Sequence, residues 1–273
     1  MRVLLTNDDG IEADGLQELR RALARVPDIE LVVIAPDGNR SATARSITTR
    51  RPLWVREVDF GDGTHGYATD GTPVDCVRLA TLGLVEGFTA QLIVSGINHG
   101  TNLGDDITYS GTVAAAFEGI LLGLPAIAVS QQSAAGKTDF RPDHAFDFVA
   151  GAQFVARLVE EIDDVPLAAG TLLNINCPAE RAQAVAIARL GKRIYRDELK
   201  LTDDDAGDGA TSYWIYGPDP GFHEEPGTDF AAIADGRIAV TPLHFDLTAI
   251  AGMDALATHD LARLLGPVVR ERE

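Results

Sequence analysis

Apolar positions along the first 180 residues follow two alternating patterns. Continuous runs such as VLLT at residues 3–6 and ELVVIAP at residues 30–36 are typical of strands buried on both faces of a parallel sheet. Residues 13–26 instead carry apolar side chains at the i, i+3, i+4, i+7 spacing of a one-faced helix. The same patterns predict strands at residues 91–98, 125–131 and 171–178 and helices at residues 72–85, 111–123 and 143–162.

Turn and capping residues complete this pattern. Thr72 is placed to cap the helix that follows it, with Pro73 at its first position. Residues 52–71 alternate around a glycine-rich turn and predict a hairpin-like excursion. Strands rich in Val, Ile and Leu that alternate with helices predict an α/β fold, a three-layer αβα Rossmann-like sandwich with a mostly parallel sheet.

The pattern changes after about residue 180. Residues 197–229 are rich in acidic residues, Gly and Pro, and contain one strand-like piece, SYWIYG. A final strand is expected at residues 237–243 and a last helix near residues 254–265. We therefore expect a catalytic core over residues 1–180 and a C-terminal arm over residues 181–273 that partly returns to the core. The arm is expected to pack on a neighbouring subunit, because it has no core for Trp214, Tyr216 and Phe222.

Size and composition exclude several classes of protein. At 273 residues and 45% hydrophobic content, the chain can bury a substantial core. Its apolar runs are shorter than a membrane span and its N-terminus lacks a leader pattern, so we expect a cytoplasmic protein with no membrane partner. A formal net charge of -18 argues against a nucleic-acid partner. Cys76 and Cys177 fit neither a zinc spacing nor a disulfide framework and are expected to be buried.

The charged residues are strongly biased toward aspartate. The chain has 27 Asp and 14 Glu against 20 Arg and only 3 Lys. Self-repulsion of this size weakens a fold at low ionic strength, and salt screens it. The hypothesis is a halophilic protein from a high-salt cytosol, and the alternative is an ordinary acidic protein from a GC-rich genome.

Three polar loops each follow a buried strand: TNDDG, APDGNRSATARS and SGINHGTNLGDDITYSGT. Such loops meet at the carboxyl edge of a doubly wound sheet. Asp8 and Asp9, with the Ser41 hydroxyl and the Asn98 amide carbonyl, offer the oxygen ligands that Mg²⁺ or Mn²⁺ prefers. The alternative is that both aspartates cap the helix that starts near Ala13 and make turn hydrogen bonds.

The third loop leads into a helix that begins with Ser110, Gly111 and Thr112. Its first-turn amides and its dipole form an anion site. The alternative is an ordinary Ser/Thr cap with a glycine for a tight turn. A metal site and an anion site at one sheet edge together suggest a phosphate ester as substrate.

These motifs closely resemble the SurE family of stationary-phase survival proteins. The resemblance rests on NDDG (7–10), RSATARSIT (40–48), TDGTPVDCV (69–77), SGINHGTNLGDDITYSGTVAAAFEG (95–119) and GTD with AVTPL near residues 227–243. It implies a metal-dependent phosphatase that hydrolyses nucleoside monophosphates, a 5'-nucleotidase with 3'-nucleotidase and exopolyphosphatase activity in some members. The pair Ala44-Arg45 departs from the family pattern, in which many relatives carry Gly and a different polar residue.

The resemblance also implies roles for individual residues. The catalytic pair is Asp8 and Asp9, and one divalent cation per subunit, Mg²⁺ or Mn²⁺, is bound by Asp8, Asp9, Ser41 and Asn98. The phosphate pocket is lined by Asn7, Asn102, Ser110, Gly111 and Thr112. The family exchanges C-terminal segments between subunits, which implies a homodimer or homotetramer with a small-molecule nucleotide as substrate.

Other interpretations stay open at this point. Asp8 or Asp9 can act as general base, and a covalent aspartyl-phosphate is conceivable, although that route usually places its second aspartate two residues later. His99 can contact the substrate or metal or face solvent, and His244 can serve a subunit contact. A non-catalytic nucleotide-binding regulator or an exopolyphosphatase are the competing functions; backbone amides that bind phosphate have no need of two carboxylates.

Overall fold

The structure is a computed structural model that describes residues 1–138, 145–205, 211–215 and 220–265. Its strands, in chain order, are β1 (Arg2–Thr6), β2 (Glu30–Pro36), β3 (Val55–Asp59), β4 (His65–Thr69), β5 (Leu92–His99), β6 (Ala126–Gln131), β7 (Thr171–Cys177), β8 (Val185–Ile187), β9 (Arg193–Ile194), β10 (Leu199–Asp205), β11 (Thr211–Ile215), β12 (Gly221–Phe222) and β13 (Ile238–His244). Its α-helices are α1 (Asp14–Leu23), α2 (Pro73–Thr81), α3 (Gly111–Leu121), α4 (Val149–Glu160), α5 (Asp229–Ala234) and α6 (Ile250–Ala257).

A nine-stranded sheet, in the order β3-β4-β2-β1-β5-β6-β7-β13-β8, forms the centre of the described part of the chain. Its six inner strands from β4 to β7 are parallel. Strands β3 and β13 run antiparallel to β4 and β7, and β8 pairs parallel with β13. The predicted α/β fold with a mostly parallel sheet is therefore confirmed. The predicted excursion is the β3–β4 hairpin, and β4 also joins the main sheet beside β2.

Helices cover both faces of the sheet because its central strands are apolar on both sides. Along β1, Val3 and Leu5 pack into one buried cluster, which includes side chains of α1 and α4. Leu4 points to the opposite cluster, which includes side chains of α2 and α3. Leu4 is fully buried, so its replacement by alanine is expected to cost about 2 to 5 kcal/mol of folding free energy. The three layers of the prediction are those observed.

The start of α2 has the predicted cap. The Thr72 side chain accepts a hydrogen bond from the Asp75 amide, the Asp75 side chain accepts one from the Thr72 amide, and Pro73 occupies the first turn. Asp75 also accepts hydrogen bonds from the amide and hydroxyl of Thr48, so the cap fixes the end of the second polar loop. Both cysteines are free and buried, as expected.

The predicted helices differ from the observed ones in their bounds. Three end earlier than predicted, α1 at Leu23, α2 at Thr81 and α3 at Leu121, against predicted ends at residues 26, 85 and 123. Two others differ more. The helix predicted over residues 143–162 is α4, Val149–Glu160; residues 145–148 are not helical, and residues 143–144 lie outside the described residues. The last helix, predicted over residues 254–265, is wrong in position. It is α6, which ends at Ala257, and a short 3-10 helix follows at Leu261–Leu264. Apolar spacing continues through both segments, so periodicity alone does not reveal the break at residues 258–260.

The C-terminal segment combines elements inside and outside the central sheet. Strands β8 and β13 join the sheet, whereas β10 and β11 form a separate antiparallel pair. Trp214 is 61% exposed, and Tyr216 lies outside the described residues. The expectation that Phe222 packs on a neighbouring subunit is corrected, because its ring stacks on Phe230 of α5 in the same chain, with ring centroids 4.8 Å apart. The domain division at residue 180 stays a prediction.

No helix in the described ranges combines the length and the apolar character that a membrane crossing requires.

Candidate functional site

The three polar loops meet where the connections of the sheet change direction. Strand β1 lies between β2 and β5, and the chain leaves it toward β2 through α1 and reaches β5 through α2. This is the switch point at which doubly wound sheets bind ligands. Gly10 in the first loop has a φ of +112°, and a side chain there would lie 3.0 Å from the Gly38 Cα of the second loop. The first two loops are therefore in close contact.

Asp8 contacts the N-terminus of α3 directly. The Thr112 hydroxyl donates a hydrogen bond to Asp8 Oδ1, and both side chains are buried. A Cβ atom on Gly111 would lie 2.7 Å from the Asp8 Cβ and 2.8 Å from its Oδ2. Only glycine permits this approach. The predicted metal ligand and the predicted phosphate-binding turn are therefore one cluster, although 104 residues separate them in sequence.

Burial changes the acidity of Asp8. Desolvation, together with the negative charge of Asp9, raises the pKa of Asp8 from 3.8 to about 6. The hydroxyl and the backbone of Thr112 act in the opposite direction but do not outweigh burial. No ion pair to Asp8 exists among the described residues. The site thus holds a carboxylate whose charge is poorly compensated by the chain itself.

Asp9 is held by the two other loops. Asn39 Nδ2 lies 3.3 Å from Asp9 Oδ1, and the His99 backbone amide donates to Oδ2 at 3.1 Å. The His99 Nδ1 atom lies 2.9 Å from the same Oδ2. Asp9 therefore joins the first loop to the second and the third. Asn39, which sequence reasoning missed, stands two residues before Ser41 in the quoted motif.

His99 has a specific position beside Asp9. Its ring packs edge-on against Phe146 and Phe148, with centroid distances of 5.2 and 4.8 Å. Burial lowers the pKa of His99, but the contact with Asp9 and its charge outweigh burial and leave the pKa raised. His99 orients a predicted metal ligand and does not simply face solvent. His244 lies opposite Thr171, at the other edge of the sheet.

Ser41 lies on the exposed second loop beside this cluster. Its amide donates to Asn39 Oδ1 at 2.8 Å, and Asn39 in turn reaches Asp9. The Arg40 amide donates to the Asp8 backbone carbonyl at 2.6 Å. The loop is thereby held against the aspartates, with the Ser41 side chain at the surface.

The departure from the family pattern in this loop has structural consequences. Ala42 and Ala44 have φ values of +57° and +52°, a region that favours glycine. The Ala44 amide donates to the Tyr109 carbonyl at 3.1 Å, and Arg45 Nη2 lies 2.6 Å from the buried Glu118 carboxylate of α3. The strained loop is therefore held at its unusual residues, by the third loop through Tyr109 and by α3 through Glu118.

Asn98 is the second-to-last residue of β5 and precedes His99, whose amide reaches Asp9 of the first loop. Its Nδ2 donates to the Gly100 carbonyl at 2.9 Å, which fixes the amide plane and leaves Oδ1 as the available ligand atom. No group of three or more His, Cys, Asp and Glu side chains suited to a metal exists among the described residues. The donor set is instead two adjacent carboxylates with amide and hydroxyl oxygens. These hard ligands and the uncompensated charge of Asp8 fit Mg²⁺ or Mn²⁺.

Asn102 supports the third loop from within. Its side-chain Nδ2 donates to Ser130 Oγ at 2.8 Å, and its backbone N–H donates to Asn176 Oδ1 at 2.8 Å. The Nδ2 groups of Asn174 and Asn176 both donate to the backbone carbonyl of Asn102. A direct phosphate contact by Asn102 stays a prediction, and the observed contacts give it a supporting position. In the sequence, Asn174 and Asn176 interrupt the apolar run TLLNINC, and two polar residues in a buried strand indicate a buried hydrogen-bond network of this kind.

Three structural details bear on the simpler interpretations. The Ala13 cap of α1 has no side-chain hydrogen bond, so Asp8 and Asp9 do not cap this helix. The Ser110 hydroxyl accepts from the Val113 amide, as an ordinary N-cap does. Asn7 is fully buried and exchanges two hydrogen bonds with the Gly10 backbone, so its amide builds the turn. Its role in phosphate binding stays a prediction.

Comparison with known proteins agrees with this geometry. The family model described as "Survival protein SurE" matches residues 3–197. The chain is 50% identical to "5'-nucleotidase SurE" of Rubrobacter xylanophilus, over 97% of this chain and 99% of that protein, and 45% identical to the protein of that name from Chloroflexus aggregans, over 91% and 94%. The crystal structure of the SurE protein from Aquifex aeolicus aligns with a TM-score of 0.77 at 37% identity, over 94% of this chain and 99% of that one. The chain therefore belongs to the SurE family.

Proposed function

We propose that this protein is a divalent-metal-dependent phosphatase that hydrolyses nucleoside 5'-monophosphates to nucleoside and phosphate. The observation that carries the proposal is the contact between the buried Asp8 and the N-terminal turn of α3 at Gly111 and Thr112. A carboxylate at the end of a helix that favours anions leaves no place for a phosphate unless a cation intervenes. The relatives named 5'-nucleotidase support the choice of substrate.

The residues that would hold the cation are Asp8, Asp9, Ser41 and Asn98. When bound, a divalent cation polarises phosphoryl oxygens and makes hydroxide available near neutral pH. Thr112 keeps Asp8 in position through its hydroxyl, and His99 keeps Asp9 in position through its amide and ring nitrogen. Asp8 and Asp9 therefore enter the reaction already oriented, which lowers the reorganisation that catalysis must overcome.

The N-terminal turn of α3 is the proposed phosphate site. Its amides and helix dipole stabilise the negative charge that the phosphoryl oxygens carry in the transition state. The absence of a side chain at Gly111 lets Asp8 lie directly against this turn, and the Ser110 hydroxyl accepts a hydrogen bond from the Val113 amide. Asn102 holds the preceding loop through its bonds to β6 and β7.

Phosphate release from a panel of substrates tests the proposal. The panel comprises nucleoside 5'- and 3'-monophosphates and polyphosphate, assayed with Mg²⁺, Mn²⁺ or EDTA for the wild type and Asp8→Asn. The matched control is Asp163→Asn, an exposed carboxylate at the opposite edge of the sheet. Metal-dependent release from 5'-monophosphates that Asp8→Asn abolishes and Asp163→Asn preserves supports the proposal. No release by a folded wild type under any condition contradicts it and favours the nucleotide-binding regulator.

The exposed apolar residues of the arm support a homo-oligomer, which we also propose. Leu201 on β10, Ile215 on β11 and Met253 on α6 are 63%, 73% and 57% exposed. Large exposed apolar side chains of this kind are typical of surfaces that bind other proteins. Leu201→Asp with Met253→Asp is expected to lower the mass measured by light scattering to that of a smaller species. Leu82→Asp is the control that leaves the mass unchanged, because Leu82 is an exposed leucine at the end of α2, outside the arm.

A further inference from the structure

A buried ion pair joins the third loop of the site to the C-terminal arm. Asp106 lies in the 3-10 helix Gly104–Thr108 of that loop, and Arg193 lies in β9 at the start of the arm. Neither side chain has exposed surface. Arg193 Nε donates to Asp106 Oδ2 at 2.8 Å and Nη2 donates to the same oxygen. The Tyr195 hydroxyl donates to the other oxygen, Oδ1, at 3.0 Å.

A second set of contacts joins the third loop to the arm through α5. The Asp229 carboxylate accepts one hydrogen bond from the Gly104 amide and one from the Gly191 amide, each at 2.8 Å. The Arg193 guanidinium lies 4.8 Å from the centroid of the Phe230 ring. Gly104 has a φ of +52°, and a Cβ there would lie 2.6 Å from that ring. The segment from Gly191 to Arg193 and the start of α5 therefore pack tightly on the third loop.

The hydrogen bonds of Asp106 show which segment fixes it. Among the described residues, the donors to its side chain come from Arg193 and Tyr195 and none from the site itself. Asp106 stands between Asn102, which bonds to the sheet, and Ser110, which caps α3. The middle of the loop thus depends on the arm, while its two ends depend on the core.

We propose that Arg193 and Tyr195 are positioning residues for the proposed reaction, which hold the third loop in its active conformation through Asp106. Neither residue touches the aspartate pair. The inference rests on the proposed function, because it concerns the same site. It follows that a site whose arm is displaced binds the cation more weakly and turns over more slowly, although its aspartates are intact.

Three variants and a control separate this role from a purely structural one. Tyr195→Phe removes one hydrogen bond from a half-exposed side chain and leaves the Arg193 pair in place. Arg193→Gln breaks the pair, and because it leaves a buried carboxylate without its partner it can impair folding. The double variant Asp106→Asn with Arg193→Gln replaces both charges by neutral amides and tests rescue. Arg189→Gln, which breaks the exposed pair with Glu225 in the same arm, is the matched control.

Hydrogen exchange, Mn²⁺ binding and steady-state kinetics are the readouts. Tyr195→Phe is expected to speed amide exchange in residues 98–112 by about tenfold, the effect of losing one hydrogen bond to a buried charge, with exchange in α1 unchanged. Mn²⁺ affinity, titrated by electron paramagnetic resonance without substrate, is expected to fall several-fold, and kcat to fall more than KM changes. Arg189→Gln is expected to match the wild type in all three.

The outcomes distinguish the two proposals. Exchange and Mn²⁺ affinity in Tyr195→Phe equal to the wild type would overturn the positioning role, as would a double variant that folds but recovers no part of the kcat lost in Arg193→Gln. If the wild type binds Mn²⁺ but releases no phosphate from any substrate, the proposed function fails. The exchange and Mn²⁺ measurements still decide the positioning role in that case.

Discussion

Thr112 donates its hydroxyl hydrogen to Asp8 Oδ1, and this hydrogen bond connects the first turn of α3 to the end of β1. Both residues are buried, so the bond is made without competition from water. It fixes one carboxylate oxygen and thereby determines which way the other one points. The geometry of the proposed metal site depends on this contact.

Replacement of Thr112 tests that dependence. Thr112→Val keeps the shape and removes the donor, so we expect Mn²⁺ affinity and kcat to fall about tenfold, the effect of losing a hydrogen bond to a charged group. Thr112→Ser retains the hydroxyl and is expected to keep most of both. Titration calorimetry with Mn²⁺ and phosphate release measure the two quantities. Equal values for the valine and serine variants would contradict the prediction.

The raised pKa of Asp8 predicts that this residue destabilises the metal-free protein. Its pKa is 3.8 when unfolded and about 6 when folded, so the folded state binds the extra proton between these values. The free energy of unfolding therefore falls as the pH rises from about 4 to 6, by about 3 kcal/mol at about 1.4 kcal/mol per pKa unit.

Asp8→Asn removes the buried charge and is expected to raise the free energy of unfolding of the metal-free protein at pH 7 by about 3 kcal/mol. Urea unfolding in EDTA at pH 4, 5, 6 and 7 measures it, with Asp163→Asn as the control. A wild type and an Asp8→Asn protein whose stability difference is the same at pH 4 and pH 7 would rule the explanation out.

The positive φ of Ala44 predicts a stabilising substitution. A non-glycine residue in this region costs about 1 to 2 kcal/mol, and glycine costs about 0.5 to 1 kcal/mol of unfolded-state entropy. Ala44→Gly is therefore expected to raise the free energy of unfolding slightly, by about 0.5 kcal/mol. Ala168→Gly, in an exposed loop without positive φ, is expected to lower it. Chemical denaturation of both variants checks the opposite signs.

The net charge of -18 predicts salt-dependent stability. Screening of repulsion between carboxylates is expected to raise the melting temperature as KCl increases from 0.05 to about 2 M, where the Debye length falls to about 3 Å or less. Circular dichroism at each concentration measures the transition. A melting temperature that is fully independent of salt would refute the halophile hypothesis.

Periodicity predicted the sheet, the cap of α2 and the convergence of the three loops, because short apolar runs and N-cap residues act locally. It could not predict that Asp106 would pair with Arg193, since 87 residues separate them. The prediction that Phe222 packs on a neighbouring subunit was wrong, because the sequence does not show that the Phe230 ring covers Phe222 within the chain. The sequence predicted that Asp8 and Thr112 lie near each other at one sheet edge, but it could not predict the hydrogen bond between them.

The pairing of β9 with β12 has a consequence for the architecture of the arm. Ile194 stands opposite Gly221, so the chain leaves this small two-stranded sheet and returns to it at adjacent positions. The segment that carries β10 and β11 therefore begins and ends at neighbouring points. A short turn grafted between Arg196 and Pro220 would keep Arg193 and Tyr195 while removing the β10–β11 pair. The β10–β11 pair, which carries part of the apolar surface proposed for assembly, is in this sense replaceable without any change to the central sheet.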